Sequence, residues 1–483
     1  MKGWAASELQ YADLGDARRN KRLVRLVEDL AAQPNASVPQ ASGDLAATQA
    51  AYDFWSSPYI KAEAIRQAHQ SSTIERVKQH SIVIVIQDTT ELNFTHHPSK
   101  KGMGYLDNTT SRGLKVHSVF CSSANGVPLG VLHQQVWARD FAELGKKYQR
   151  HKKPTQEKES QRWLTAIDAT QNLIPLETVV VTVADREADI YDLLVLPRHF
   201  NSQLLIRATH NRRVKRDAQA EQIERLHQVI EQTPACGQLS LELRRHPERV
   251  ARRATLTLRT TTLQLQPPQQ HPQPEHLEPV SLQVILAVEE NPPLGVKPVS
   301  WLLLTTLPVT CFEDVVQVLR WYSYRWLIER YHYVLKSGCR LEQLQLETGD
   351  SEALLRSADR IQRALATYTI VAWRLLWITY LARYHPETPA DTVLATHEWQ
   401  ALYCTIHKTP QPPLSPPSLN TCVRWIAQLG GFLARQGDGK PGVKTIWQGL
   451  RRLHDIAQTW LLVSPTSTVA VKSSFVKKDA TNA

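Results

Sequence analysis

The sequence predicts an α/β protein with helical segments at both ends. Two continuous β-branched runs, Ser81 to Ile86 (SIVIVI) and Thr178 to Ala184 (TVVVTVA), have the pattern of strands buried on both faces of a sheet. The first sixty residues and the last third instead carry helical periodicity with little strand pattern. At 483 residues the chain is too long for one hydrophobic core, which implies two or three domains.

The N-terminal unit is expected to be helical. From Asp16 the chain reads DARRNKRLVRLVEDLAAQ, with Leu23, Leu26, Val27 and Leu30 on one side. Arg18, Arg19, Lys21, Arg22 and Arg25 crowd its first half. Such crowding is costly unless an anion neutralises it, so phosphate contact and a solvated basic face both remain open. A second helix is expected over Leu45 to Trp55 and a third from about Lys61 to Gln79.

The strand SIVIVI follows and is expected to end at Gln87-Asp88-Thr89-Thr90. Leu114 to Ser122 and Pro128 to Ala138 read as a hairpin about the turn Ala124-Asn125-Gly126. Glu157 to Gln171 reads as helix. TVVVTVA then also ends on an acid, Asp185, with Gln203 to Thr209 a further strand. Between about Gln232 and Pro298 a small β insertion is expected, opened by Arg244, Arg245, Arg249, Arg252 and Arg253 and containing a Pro/Gln/His-rich loop. Ser300 to Thr305 (SWLLLT) returns to the main sheet.

Glu313 to Arg340 is read as one long helix, free of Pro and with acids in its first turn. On a regular helix Tyr322, Arg325, Glu329 and Lys336 share a stripe about 60° wide. The plain alternative is an exposed, salt-bridged face. Beyond it, helices are expected over Ser351 to Arg383, Asp391 to His407, Thr421 to Ala434 and Val443 to Leu462, with a disordered tail from Ser464.

Lys and Arg number 57 against 46 Asp and Glu, a net charge of +11, which favours a polyanionic partner. Six scattered cysteines lack the CxxC spacing of a zinc site and read as reduced thiols. The N-terminus lacks a signal peptide's apolar core and no uninterrupted apolar run reaches a membrane span, so a cytoplasmic location without membrane contact is expected.

Asp88, Asp185 and Glu329 form a constellation with a chemical rationale. Acids at strand ends have fixed backbones and open onto the crevice above a sheet. Three convergent carboxylates need cations, and an all-oxygen donor set selects Mg²⁺ or Mn²⁺. A pair of such ions stabilises both the entering and the leaving oxygen of a phosphoryl transfer. Singly, each acid could equally be a cap or turn residue, Asp185 above all.

These residues resemble the hairpin-forming cut-and-paste DDE transposases of bacterial insertion sequences, the IS-four group, and the transposon-five type within it. Tyr322, Arg325, Glu329 and Lys336 match the group's Y-x2-R-x3-E-x6-K signature without a gap. Asp88 stands in IQDTT, Asp185 opens Asp-Arg-Glu-Ala-Asp, SWLLLT precedes the signature at the group's distance, and LGDARRNKRL resembles its DNA-binding domain. The resemblance implies an end-binding domain (1–62), an RNase H-like catalytic domain (63–375, insertion about 232–298) and a helical dimerisation domain (376–483). It also implies two Mg²⁺ or Mn²⁺ ions on Asp88, Asp185 and Glu329. Tyr322, Arg325 and Lys336 would hold DNA phosphates, Trp301 would stack on a flipped base with help from Trp326, and Arg207 and Arg22 would contact DNA. The implied partners are transposon ends, target DNA and a second copy of the chain. Two other functions stay open: a DNA-binding regulator of transposition, and a structure-specific metal nuclease.

Overall fold

The computed structural model describes residues 3–146, 153–243, 251–271, 277–346 and 357–463. Arg244, Arg245, Arg249, the tail from Ser464, and the expected start of a helix at Ser351 lie outside them. The chain forms two compact units, one of residues 1–72, 92–103 and 330–483, the other of 73–91 and 104–329. These units cut across the expected division at 62 and 375, because the N-terminal and C-terminal helices share a core.

The second unit is built on one mixed sheet. Its strands are β1 (Ile82–Asn93), β2 (Gly104–Tyr105), β3 (Arg112–Ser123), β4 (Pro128–Trp137), β5 (Val179–Ala184), β6 (Ser202–Arg207), β7 (Arg213–Lys215), β8 (Glu224–Arg225), β9 (Ala235–Leu243), β10 (Arg252–Leu265), β11 (Val280–Val288) and β12 (Ser300–Thr305). They run in the order β2-β3-β1-β5-β6-β12-β11-β10-β7-β8, with β4 on β3 and β9 on β10. β1, β5 and β6 are parallel neighbours, as their unbroken apolar runs require: Val83 to Ile86 are wholly buried, and so are Val181 and Val183. The β3–β4 hairpin turns at Gly126, whose φ of 84° suits glycine.

Two expectations need correction. β1 does not stop at Gln87 but continues to Asn93, so Asp88 lies within the strand. Nor is the β insertion a separate piece: β11 pairs along its length with β12, so β9 to β11 extend the same sheet. Alternating exposure along β9 leaves one face open, whereas β12 ends in three buried residues.

The first unit is helical. The helix Ala17–Ala32 is capped by the Asp16 carboxylate, which accepts from the Arg18 backbone N–H, and buries the expected Leu23, Leu26, Val27 and Leu30. Its core is organised by the helix Ser357–Tyr384. Trp55, fully buried, donates from Nε1 to Thr367 Oγ1 (3.2 Å), and Arg363 donates to the carbonyls of Trp55 and Ile60. Arg374 sits over the Trp4 ring, 3.8 Å from its centroid. By length and hydropathy this helix could cross a membrane, but 89% of its most apolar window is buried inside the protein. It is a core helix.

The helices Leu419–Leu429 and Val443–Val463 cross at backbone contact. A Cβ on Gly449 would stand 1.7 Å from the Ile426 carbonyl oxygen, and one on Gly430 would stand 1.8 Å from that of Thr445. Helix propensity alone favours Gly449→Ala by ~1 kcal/mol. Because the obstacle is backbone, the substitution should instead destabilise by roughly 2 kcal/mol. Gly442→Ala, with nothing within 4 Å, should be close to neutral. Urea unfolding of both variants checks this; equal midpoints would mean that the crossing is looser than described.

Candidate active site

Asp88 and Asp185 are brought together by strand register. β1 and β5 pair in parallel up to Ile86 opposite Val183, and each acid stands two residues beyond that pair on its own chain. Asp88 Oδ1 accepts from the Thr89 backbone N–H (2.8 Å), and Asp185 Oδ1 from that of Glu187 (2.9 Å). The cap alternative is thus met at Asp185, which opens the short turn Arg186–Ala188. A cap role leaves a carboxylate its further lone pairs for another ligand.

The third acid comes from a segment that is not one helix. The helix Phe312–Ser323 ends at Tyr324, a new one runs from Trp326 to Tyr333, and a π-turn covers Val334–Gly338. At the break the backbone makes i→i+3 bonds, Arg325 to Tyr322 and Leu327 to Tyr324. The break and the π-turn both depart from 100° per residue, so the four residues are not carried by one regular helix, although Tyr322, Arg325 and Glu329 remain close enough to act on one another. Tyr322 is buried. Arg325 pairs with Glu329 four residues on, Nη2 to Oε1 2.6 Å. Lys336 lies on the π-turn, in the other compact unit, 3.7 Å from Glu342.

The electrostatics bind this set together. Burial, then the neighbouring Asp185 carboxylate, and to a lesser degree Glu329, push the Asp88 carboxyl up to about 7, against the opposing pull of the Thr89 N–H and Arg325. Burial would lower the Arg325 guanidinium, yet Glu329, Tyr322 and Asp185 outweigh it and hold it above its usual range. Burial raises the Tyr322 phenol against Arg325 and Arg207. The Tyr322 hydroxyl faces Arg207 without a well-formed hydrogen bond, whereas Arg207 donates to the Ser300 carbonyl (2.8 Å). Trp301, in β12, meets the Tyr322 ring edge-on at 5.6 Å. Trp326 is half-exposed with the Arg325 guanidinium 5.0 Å from its ring centroid. Tyr322 therefore stands among Arg207, Arg325, Asp185 and Trp301, while Glu329 and Trp326 join the group through Arg325.

Among the described residues no three Asp, Glu, His or Cys side chains stand close enough to share one metal ion. The donor chemistry nevertheless fits a hard divalent cation. The set is all carboxylate, and burial first and the Asp185 charge second raise the Asp88 carboxyl, an arrangement that a hard cation would relieve.

The N-terminal cations divide. Arg18, Lys21 and Arg22 are exposed. Arg19 is engaged in the fold, donating to the Leu14 carbonyl (3.1 Å) and lying over Tyr59.

Sequence reasoning missed Arg162. Its Nε donates to Thr89 Oγ1 and its Nη2 to Glu187 Oε2, both at 2.8 Å, so it touches the residues that follow both aspartates. No local pattern marks it, since it is one polar residue in an ordinary helix; only the pairing of β1 with β5 gives it meaning.

Residues 1–60 match the family described as transposase DNA-binding, and residues 370–459 the transposase Tn5 dimerisation domain. Both matches make the chain similar to transposases in these two regions, one described for DNA binding and the other for dimerisation.

Because Asp88 has a folded pKa above the unfolded value of 3.8, the native state holds more proton than the unfolded chain between about pH 4 and 7. Stability of the metal-free protein should therefore fall as pH rises through that window. Asp88→Asn should remove the fall and stabilise the protein at pH 8 by about 1–3 kcal/mol, with little effect near pH 4. Urea titrations in EDTA at both pH values measure it; parallel pH profiles would show that Asp88 carries no such strain.

Proposed function

We propose that this chain is a hairpin-forming cut-and-paste DDE transposase of the IS-four group, with Asp88, Asp185 and Glu329 as its catalytic acids. The observation that carries the reading is the adjacency of Asp88 and Asp185 across the β1–β5 register, with Glu329 close enough to perturb Asp88. The order β4-β3-β1-β5-β6, antiparallel between β4 and β3 and parallel from β1 to β6, supports an RNase H-like core. The flanking matches supply a DNA-binding region and a dimerisation region.

In this reading Asp88, Asp185 and Glu329 would hold two Mg²⁺ or Mn²⁺ ions, which would supply Lewis-acid chemistry for in-line attack at phosphorus. Arg325, now paired with Glu329, would release that acid and turn to a DNA phosphate, a bidentate partner suited to a guanidinium. Arg207 and Tyr322 would orient the same strand. Lys336 would meet a phosphate from the π-turn, and Arg18, Lys21 and Arg22 would neutralise phosphates of the transposon end. Trp301 and Trp326 offer faces for a base expelled from a tightly bent strand. The products would be an excised element and its joining to target DNA, carried out by a homodimer. A structure-specific nuclease would need the acids but not the dimerisation region, and a regulator would need neither the acids nor Trp301.

Changing Asp88, Asp185 or Glu329 to Ala should abolish strand cleavage in Mg²⁺ while leaving DNA binding near normal, since phosphate contacts lie elsewhere. Gel-shift and nicking assays on the same preparations test it, and substantial nicking by Glu329→Ala would remove that residue from the site. Trp301→Ala should nick at near the normal rate but form the hairpin roughly ten- to a hundred-fold more slowly, as loss of ~1–3 kcal/mol of base stacking implies. Single-turnover cleavage on denaturing gels resolves the two steps. If both fall together, or neither falls, Trp301 is only a core residue.

A further inference from the structure

We propose that Arg162 is a positioning residue that sets the spacing of Asp88 and Asp185 from the far side of β1. The inference rests on the reading of those acids as a metal-binding pair.

Side chains alternate along a strand, so Gln87 and Thr89 project from the face of β1 opposite to Asp88. Both are gripped there. The His117 ring, fully buried in β3, meets Thr89 Oγ1 through Nδ1 (2.9 Å) and Gln87 Oε1 through Nε2 (3.2 Å), and packs edge-on against Trp163 at 4.7 Å. Arg162, at the start of the helix Gln161–Gln171, fixes all three guanidinium nitrogens. Nε donates to Thr89 Oγ1, Nη1 to the Glu159 carbonyl and Nη2 to the Glu187 carboxylate, each at 2.8 Å.

Glu187 is the residue whose backbone N–H holds Asp185, and Thr89 is the residue whose N–H holds Asp88. One rigid, planar fork therefore spans the two residues that orient the two acids. Arg162 reaches neither carboxylate, so its effect must pass through backbone position. Lysine offers a single point charge and cannot hold both ends at once.

Metal uptake gives a readout separate from catalysis. Full-length protein is titrated with Mn²⁺ alone by calorimetry, and the Mn²⁺ concentration giving half-maximal nicking is measured in parallel. Arg162→Ala should weaken Mn²⁺ binding by about 10- to 100-fold, the usual effect of removing an outer-shell partner, and raise the half-maximal concentration by a similar factor. Gel shifts in EDTA should not change. Arg162→Lys should recover only part of the loss. Thr89→Val and Glu187→Ala remove one leg each, the latter at a side chain 64% exposed where folding is not at risk. Each should weaken Mn²⁺ several-fold, and adding Thr89→Val to Arg162→Ala should cost less than Thr89→Val alone, because the Arg162 contact is already gone and only the one to His117 remains to be lost. If wild type binds Mn²⁺ and these variants bind it equally well, the positioning role is wrong. If wild type itself neither binds Mn²⁺ nor nicks DNA, the metal-site reading fails and this inference falls with it.

Discussion

Two carboxylates are held side by side by the parallel pairing of β1 and β5, and much of the second unit follows from that arrangement. The apolar runs that create the pairing are buried on both faces, and a slip would draw the polar residues that follow Ile86 and Ala184 into that apolar ladder. Hydrophobic burial thereby enforces a juxtaposition that electrostatics opposes. Burial and, after it, the Asp185 charge raise the Asp88 carboxyl, and Arg325, paired with Glu329, pulls the other way. A site of this kind is arranged before its ligand arrives, and the cost of arranging it is met by folding.

Much of this was legible in the sequence. SIVIVI and TVVVTVA have the texture of buried parallel strands, and the acids that follow them are real neighbours. SWLLLT is a strand, the Ala124-Asn125-Gly126 turn closes a hairpin, and the N-terminal helix buries the four residues its periodicity marked. What could not be read there depends on interactions distant in the chain. β9 alternates Leu239, Leu241 and Leu243 with polar residues, but only its pairing with β10 shows that it joins the main sheet. The break at Tyr324 and the π-turn at Val334–Gly338 interrupt a stretch without Pro or an internal Gly, where no local signal predicts them. The two compact units have the same origin, since a contact such as Trp55 with Thr367 joins residues 312 positions apart.

The break lies between the residues of one short stretch. Before it, buried Tyr322 meets Trp301 edge-on; after it, Glu329 pairs with Arg325. The backbone at Tyr324 stays in the ordinary helical region, so the change is a local tightening to i→i+3 bonds.

The shared core of the first unit bears on how such proteins diversify. Residues 1–60 match a family of their own, which suggests a transferable cassette. Yet Trp55 is completed by Thr367, the Ile60 carbonyl by Arg363, and Trp4 by Arg374, all on one helix some three hundred residues away. Cut at residue 60, the piece would lose these partners for two indoles and two carbonyls. Exchange of this segment for another would therefore require matching changes along Ser357–Tyr384, whereas its exposed cations Arg18, Lys21 and Arg22 lie outside that shared core and are free to vary.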